Sequence, residues 1–235
     1  MKLRAALLGV LSSVAGCTCE SVKSNDLKTS GLSALFEASA PGTGRVEVKA
    51  TLTLGPGSLT YADLAPGDTL VATLGSTARA MSRTSAFGAT FYEAGFEGDA
   101  AGTPLKIALT REKDTSAPES VVTLPAPFTL VSPSANTSFS RTTGLTVSWS
   151  GSGEADPMRL SARGACITPV DTELSADSGT HTLAPFVAAS GAPSDQCDVS
   201  IALVRTRLGV VDPAYGKGGV FRATVSRSVT VRSTP

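Results

Sequence analysis

The sequence predicts an all-β protein built as two β-sandwich-like domains, and three observations carry that prediction. Several segments alternate apolar and polar residues with a period of two, which puts every second side chain on one face of a strand. Glycine and proline are abundant, with 23 and 14 residues in a chain of 235, as suits short strands joined by turns. Amphipathic runs of helical spacing are scarce. Aromatic residues make up only 5% of the chain, so the core has to be built largely from Val, Leu, Ile and Ala.

The chain opens MKLRAALLGVLSSVAGC. Lys2 and Arg4 precede a short apolar run from Ala5 to Leu11, small residues follow, and Val14-Ala15-Gly16 lead directly into Cys17. The run is far shorter than the roughly 20 residues a helix needs to cross a bilayer. An ordinary secretory signal with an incidental cysteine has this outline, and so does a lipidated one. The V-A-G-C quartet resembles the lipobox of a bacterial lipoprotein signal peptide. That resemblance implies removal of residues 1–16, a diacylglyceryl group on the Cys17 thiol, and acylation of the new amino terminus by a fatty acid such as palmitate. The expected partner is then the lipid bilayer, reached through an N-terminal anchor, in which two or more chains hold far more firmly than one at about 0.8 kcal/mol per buried methylene. Thr18, rather than Asp, follows the cysteine, which by the enterobacterial sorting pattern points to the outer membrane of the cell envelope.

The mature chain would keep 18 basic and 20 acidic residues. No field of one sign is implied, so neither nucleic acid nor a strongly anionic surface is an expected partner. Export would also place the chain where disulfides form. Cys166 and Cys197 are expected to pair, with Cys19 left free; two separate buried thiols are the alternative. Closing a loop of about 30 residues contributes roughly 3–4 kcal/mol by the chain-entropy estimate. A metal pair at Cys17 and Cys19 is unattractive, because lipidation consumes one ligand and no histidine is near.

Residues 17–40 are small and polar at first and are expected to form a lipidated tether, with Leu32 to Phe36 as one helical turn or a lead-in strand. A β-rich domain is expected over 41–125. Its first convincing strand is RVEVKATLTL, with Val46, Val48, Ala50, Leu52 and Leu54 on one face. Leu70, Ala72 and Leu74 alternate after the LAPGD turn, residues 76–86 are indeterminate, and FGATFYEAGF and LKIALTR continue the pattern. Two prolines, Pro125 and Pro127, deny donors to a ladder and place the domain boundary near 125.

Over 126–235 the pattern restarts with GLTVSWSGSG, in which Leu145, Val147 and Trp149 alternate with Thr146 and Ser148. The LTVSW strand followed by a glycine-containing loop resembles the second strand of fibronectin type III and related immunoglobulin-like domains. That resemblance implies a β-sandwich with Trp149 as a core anchor. It departs from immunoglobulin domains in that Trp149 precedes both cysteines. Cys197, Val199, Ile201 and Leu203 share a face. The last strand, VFRATVSRSVTVR, is the clearest, although Arg227 interrupts its apolar face, as a bulge or the end of a packed region would.

Little catalytic chemistry is legible. The one histidine, His181, lies in GTHTL with no G-x-S-x-G elbow and no defined acid partner. H-E-x-x-H and histidine-rich metal sites are excluded, and no cofactor is expected. Asp63 and Asp68 bracket LAPG and are the weak candidates for calcium; Glu93, Glu97 and Asp99 form a second acidic group. Neither matches an EF-hand loop, and solvated turn residues are the plainer reading. Arg205 and Arg207 are expected opposite Leu203 as salt-bridged surface residues, with Arg222 nearby; an anionic contact patch is the alternative. Asn136-Thr137-Ser138 fits a glycosylation sequon that a bacterial lipoprotein would not normally use. The expected function is therefore non-catalytic binding or structure at the envelope, presenting sandwich modules to another envelope protein. An envelope hydrolase with a carboxylate site, or a small-ligand or calcium-binding lipoprotein, is the alternative.

Overall fold

The computed structural model describes residues 20–189 and 196–235. The expected signal peptide, Cys17 and Cys19 lie outside the described residues. The first half carries β1 (Glu20–Lys23), β2 (Ser33–Ala40), β3 (Arg45–Thr53), β4 (Thr60–Asp63), β5 (Thr69–Leu74), β6 (Thr77–Ala80), β7 (Ser82–Ala86), β8 (Ala89–Glu97), β9 (Pro104–Thr110) and β10 (Ala117–Thr123). The second half carries β11 (Thr129–Ser132), β12 (Ser138–Ser140), β13 (Leu145–Ser150), β14 (Met158–Gly164), β15 (Val170–Leu174), β16 (Thr180–Leu183), β17 (Cys197–Leu208) and β18 (Gly219–Thr234). The protein is all-β as expected; the helical segments among the described residues are two 3-10 turns, Ser24–Asp26 and Thr29–Gly31. Among the described residues no helix is long and apolar enough to cross a membrane.

One sheet of 11 strands runs in the order β1-β4-β3-β2-β18-β17-β14-β15, with β8 also on β3, β7 on β8, and β12 on β18. A four-stranded sheet, β10-β9-β5-β6, and a three-stranded sheet, β11-β13-β16, complete the layers. Alternation explains the first sandwich. Val46, Val48, Ala50 and Leu52 of β3 turn inward, as do Leu70, Ala72 and Leu74 of β5 and Leu105, Ile107 and Leu109 of β9. In the second sandwich Val147 and Trp149 bury with Leu160, Val199, Ile201 and Leu203. The polar segment left indeterminate at 76–86 contributes β6 and β7, which pair with β5 and β8.

Two boundaries need correction. The tether expected over 17–40 is already strand from residue 20, and β2 is a central strand held between antiparallel β3 and parallel β18. Its Ala34, Phe36, Ala38 and Ala40 are buried, an alternation that the small side chains conceal. The division near 125 is likewise crossed by the last strand. Gly219–Val225 of β18 pairs with β2, while Arg232–Thr234 pairs with β12. The β17–β18 ladder continues in unbroken register from Leu208–Arg222 to Cys197–Ser233, so one long hairpin serves both sandwiches. Arg227 sits at the changeover without a bulge: it faces Leu203 in that register, and its guanidinium lies 5.7 Å from the Phe128 ring. Gly209 is required where this hairpin passes β10, because a Cβ there would stand 2.2 Å from the Val121 carbonyl oxygen.

Candidate functional site

The outward faces of β18, β2, β3 and β8 form an open groove of about 760 Å³, bordered by Arg79 and Ser82 where the chain passes from β6 to β7. Its floor follows from register. Arg222 lies opposite Glu37, Glu37 opposite Lys49, and Lys49 opposite Glu93. Four strands thus present one row of alternating charge, with neighbours at the spacing that lets opposite charges in a sheet support one another. Arg222 is ion-paired with Glu37, Lys49 Nζ lies 3.9 Å from the centre of the Phe91 ring, and the Thr84 hydroxyl donates to Glu93 at 3.2 Å. The next row is Thr224, Ser39, Glu47 and Gly95. Gly95 lies beside the Glu47 carboxylate, which is 3.4 Å from where a Cβ would stand, an ordinary contact distance. The arrangement offers donors and acceptors in alternation to a chain laid across the strands.

The carboxylates singled out for calcium are engaged elsewhere. Asp63 accepts from Lys23 Nζ and Arg83 Nε, each at 2.6 Å. Burial pulls its pKa upward, but those two cations outweigh it and hold the carboxyl below its ordinary value. Asp68 is paired with the buried Arg111 at 2.7 Å and accepts from the Ser24 hydroxyl at 2.6 Å and the Glu112 amide at 2.8 Å. Burial again raises its pKa, and the Ser24, Glu112 and Arg111 contacts bring it below the ordinary value. Cationic side chains occupy the oxygens that calcium would need, so the calcium reading of Asp63 and Asp68 is corrected. Among the described residues no three His, Cys, Asp or Glu side chains are grouped to hold a metal ion. Glu93 belongs to the groove and Glu97 pairs with Arg45 at 3.3 Å.

The arginines divide differently from expectation. Arg205 has the parity of Leu203, not the opposite one, and is fully buried at 0% exposure. Its guanidinium donates to Asp177 at 2.6 Å, to the Gly151 carbonyl at 2.7 Å and to the Ala126 carbonyl at 2.6 Å. Asp177, whose side chain is only 1% exposed, also accepts from Trp149 Nε1 at 2.7 Å and from the Glu154 amide at 3.1 Å. Trp149 is therefore a core anchor with its polar edge satisfied. Arg207 forms a two-pronged pair with Asp156 at 2.6 and 2.9 Å and donates to Thr123. These two arginines lock the connector between the sandwiches, and of the three only Arg222 lines the groove. Cys166 and Cys197 form a disulfide. His181 lies half-buried in β16, opposite Val147 of β13.

No family model matches the chain, and no curated protein matches it. Solved structures similar to it include a two-domain fibronectin type III segment of chicken tenascin, 15% identical over 83% of this chain and 96% of that one, with a TM-score of 0.25. Fibronectin(III)-like modules of Clostridium thermocellum CbhA are 15% identical over 85% of this chain and 91% of theirs, with a TM-score of 0.24. The Yersinia pseudotuberculosis adhesin InvE is 14% identical over 87% of this chain and 60% of its own, with a TM-score of 0.23.

Proposed function

We propose that this chain is an envelope lipoprotein, tethered to the outer membrane through acylated Cys17, that binds another envelope protein and carries out no chemistry. The observation that supports binding is the groove, whose alternating row of Arg222, Glu37, Lys49 and Glu93 suits a polar polypeptide segment crossing the strands. Such complementary charge confers register and selectivity more than raw affinity. A hydrolase would instead need two carboxylates facing one another across a substrate. Here Lys49 stands between Glu37 and Glu93, and Arg222 occupies Glu37.

A photo-crosslinking residue at Ser39, inside the groove, tests this reading in the native cell. Thr73, on the outer face of the opposite sheet, serves as the control position. A discrete adduct from Ser39, absent from Thr73 and lost with Lys49→Glu, is the expected result. That substitution places three carboxylates side by side in the row, and like charges directly opposite are unfavourable. Equal labelling from both positions, or an adduct that survives Lys49→Glu, would rule out the groove as the binding face.

A further inference from the structure

One end of the first sandwich gathers three features. β1 begins there, with the Glu20 amide donating to the Leu59 carbonyl at 3.3 Å. The turn joining β7 to β8 reaches the same place: the Ser21 hydroxyl donates to the Gly88 carbonyl at 3.3 Å and bonds the Thr90 hydroxyl at 2.9 Å. The turn joining β3 to β4 carries Leu59, which is 53% exposed. Phe87, at the tip of the β7–β8 turn, is 100% exposed.

Phe87 is costly where it stands. It occupies the first position of a two-residue turn, with φ of 50°, followed by Gly88 at 82°. Positive φ at both positions belongs to the turn type that favours Asn-Gly, and a bulky residue there is an outlier. Neither exposure nor backbone serves the fold of the isolated chain. Backbone strain of this kind clusters at functional sites. The two turns themselves carry no charge, since residues 50–62 and 84–92 contain no Asp, Glu, Lys or Arg; the charged side chains flanking them are Glu20, whose amide bonds Leu59, and Arg83, which reaches Thr90.

We infer that this end of the sandwich rests on the lipid surface, with Phe87 and Leu59 inserted among the headgroups as a second membrane contact beside the N-terminal anchor. The inference rests on the proposed acylation of Cys17. Three residues lie between Cys17 and Ser21, so even a fully extended chain holds Ser21 within about 14 Å of the anchored residue, and the β7–β8 turn is bonded to the Ser21 side chain. An aromatic and an aliphatic side chain on neutral turns match the chemistry of the headgroup and acyl boundary. The contact also gives the molecule a fixed attitude. β18 starts at this end, paired with Ala34, and runs into the second sandwich, so the second sandwich stands away from the bilayer.

The test uses the full chain, matured in cells, extracted in detergent and reconstituted into phosphatidylethanolamine–phosphatidylglycerol vesicles with brominated acyl chains. Phe87→Trp and Leu59→Trp report the two turns, and Val131→Trp on the second sandwich is the control; the native Trp149 is buried. Bromines high in the acyl chains are expected to cut the emission of both turn probes by about half, because interfacial side chains sit about 5–10 Å into that boundary, and to leave Val131→Trp unchanged. Acylated Cys17, shown by intact mass, together with turn probes quenched no more than the control, would overturn the second contact while leaving the anchor. An unmodified Cys17 thiol in the mature chain would remove the anchor and this inference with it.

Discussion

Arg205 shows how one side chain decides the interior of the second sandwich. A guanidinium with no exposure is stable only because Asp177 and two backbone carbonyls surround it. Removing one partner of such a pair strands the other charge, at about 3–5 kcal/mol. Arg205→Met is accordingly expected to lower the unfolding free energy in urea by about that amount, and Arg205→Met with Asp177→Asn to cost less than the sum of the two single changes. Strict additivity would mean that the two groups do not act as a pair. Asp63 and Asp68 contribute to the acid response, alongside the lowered carboxyls of Asp114 and Asp171. All four carboxyls lie below their ordinary values in the folded protein, so near pH 4 the unfolded chain binds more protons than the native one, and stability falls with acid. Urea midpoints are expected to change little on this account from pH 7 to about 5, then to drop below about pH 4, where unfolded Asp titrates. Arg111→Met should flatten the drop, since it removes a cation beside Asp68; an unchanged slope would contradict that pairing.

At the scale of elements, β3 and the closing strand are legible because Val, Leu and Phe mark most alternate positions, with Ala50 and Ala223 at others and Arg227 as the one break. β2 was obscured for a physical reason. Alanines at 34, 38 and 40 carry too little apolar surface to stand out, although the pairing of Phe36 with Phe221, rings 5.4 Å apart, makes the strand central. Phe36→Ala is expected to cost about 3–5 kcal/mol in urea unfolding, as for other buried aromatics. A residue in a solvated tether would change stability by less than about 0.5 kcal/mol, and that outcome would contradict the assignment of β2. The disulfide was foreseen from export and position. The depth of Arg205 was not, because its partner lies 28 residues away in a stretch with no period. The groove was illegible for a related reason. Its Arg222–Glu37 contact joins residues 185 apart, and only parallel pairing of the last strand with β2 aligns the charges into a row.

For the whole molecule, the β17–β18 hairpin is the structural continuity. Its register runs through both sandwiches, and Arg205 and Arg207 hold the intervening connector at Ala126, Thr123 and Leu124. An anchor at the start of β1 would then place the groove and the second sandwich in a defined order away from the lipid. The most direct measurement is membrane fractionation of cells producing the native chain or Cys17→Ala. The native chain should sediment with outer-membrane vesicles and resist high salt and carbonate, whereas Cys17→Ala should be recovered in the soluble fraction with its disulfide intact. Identical distribution of the two chains would contradict the account.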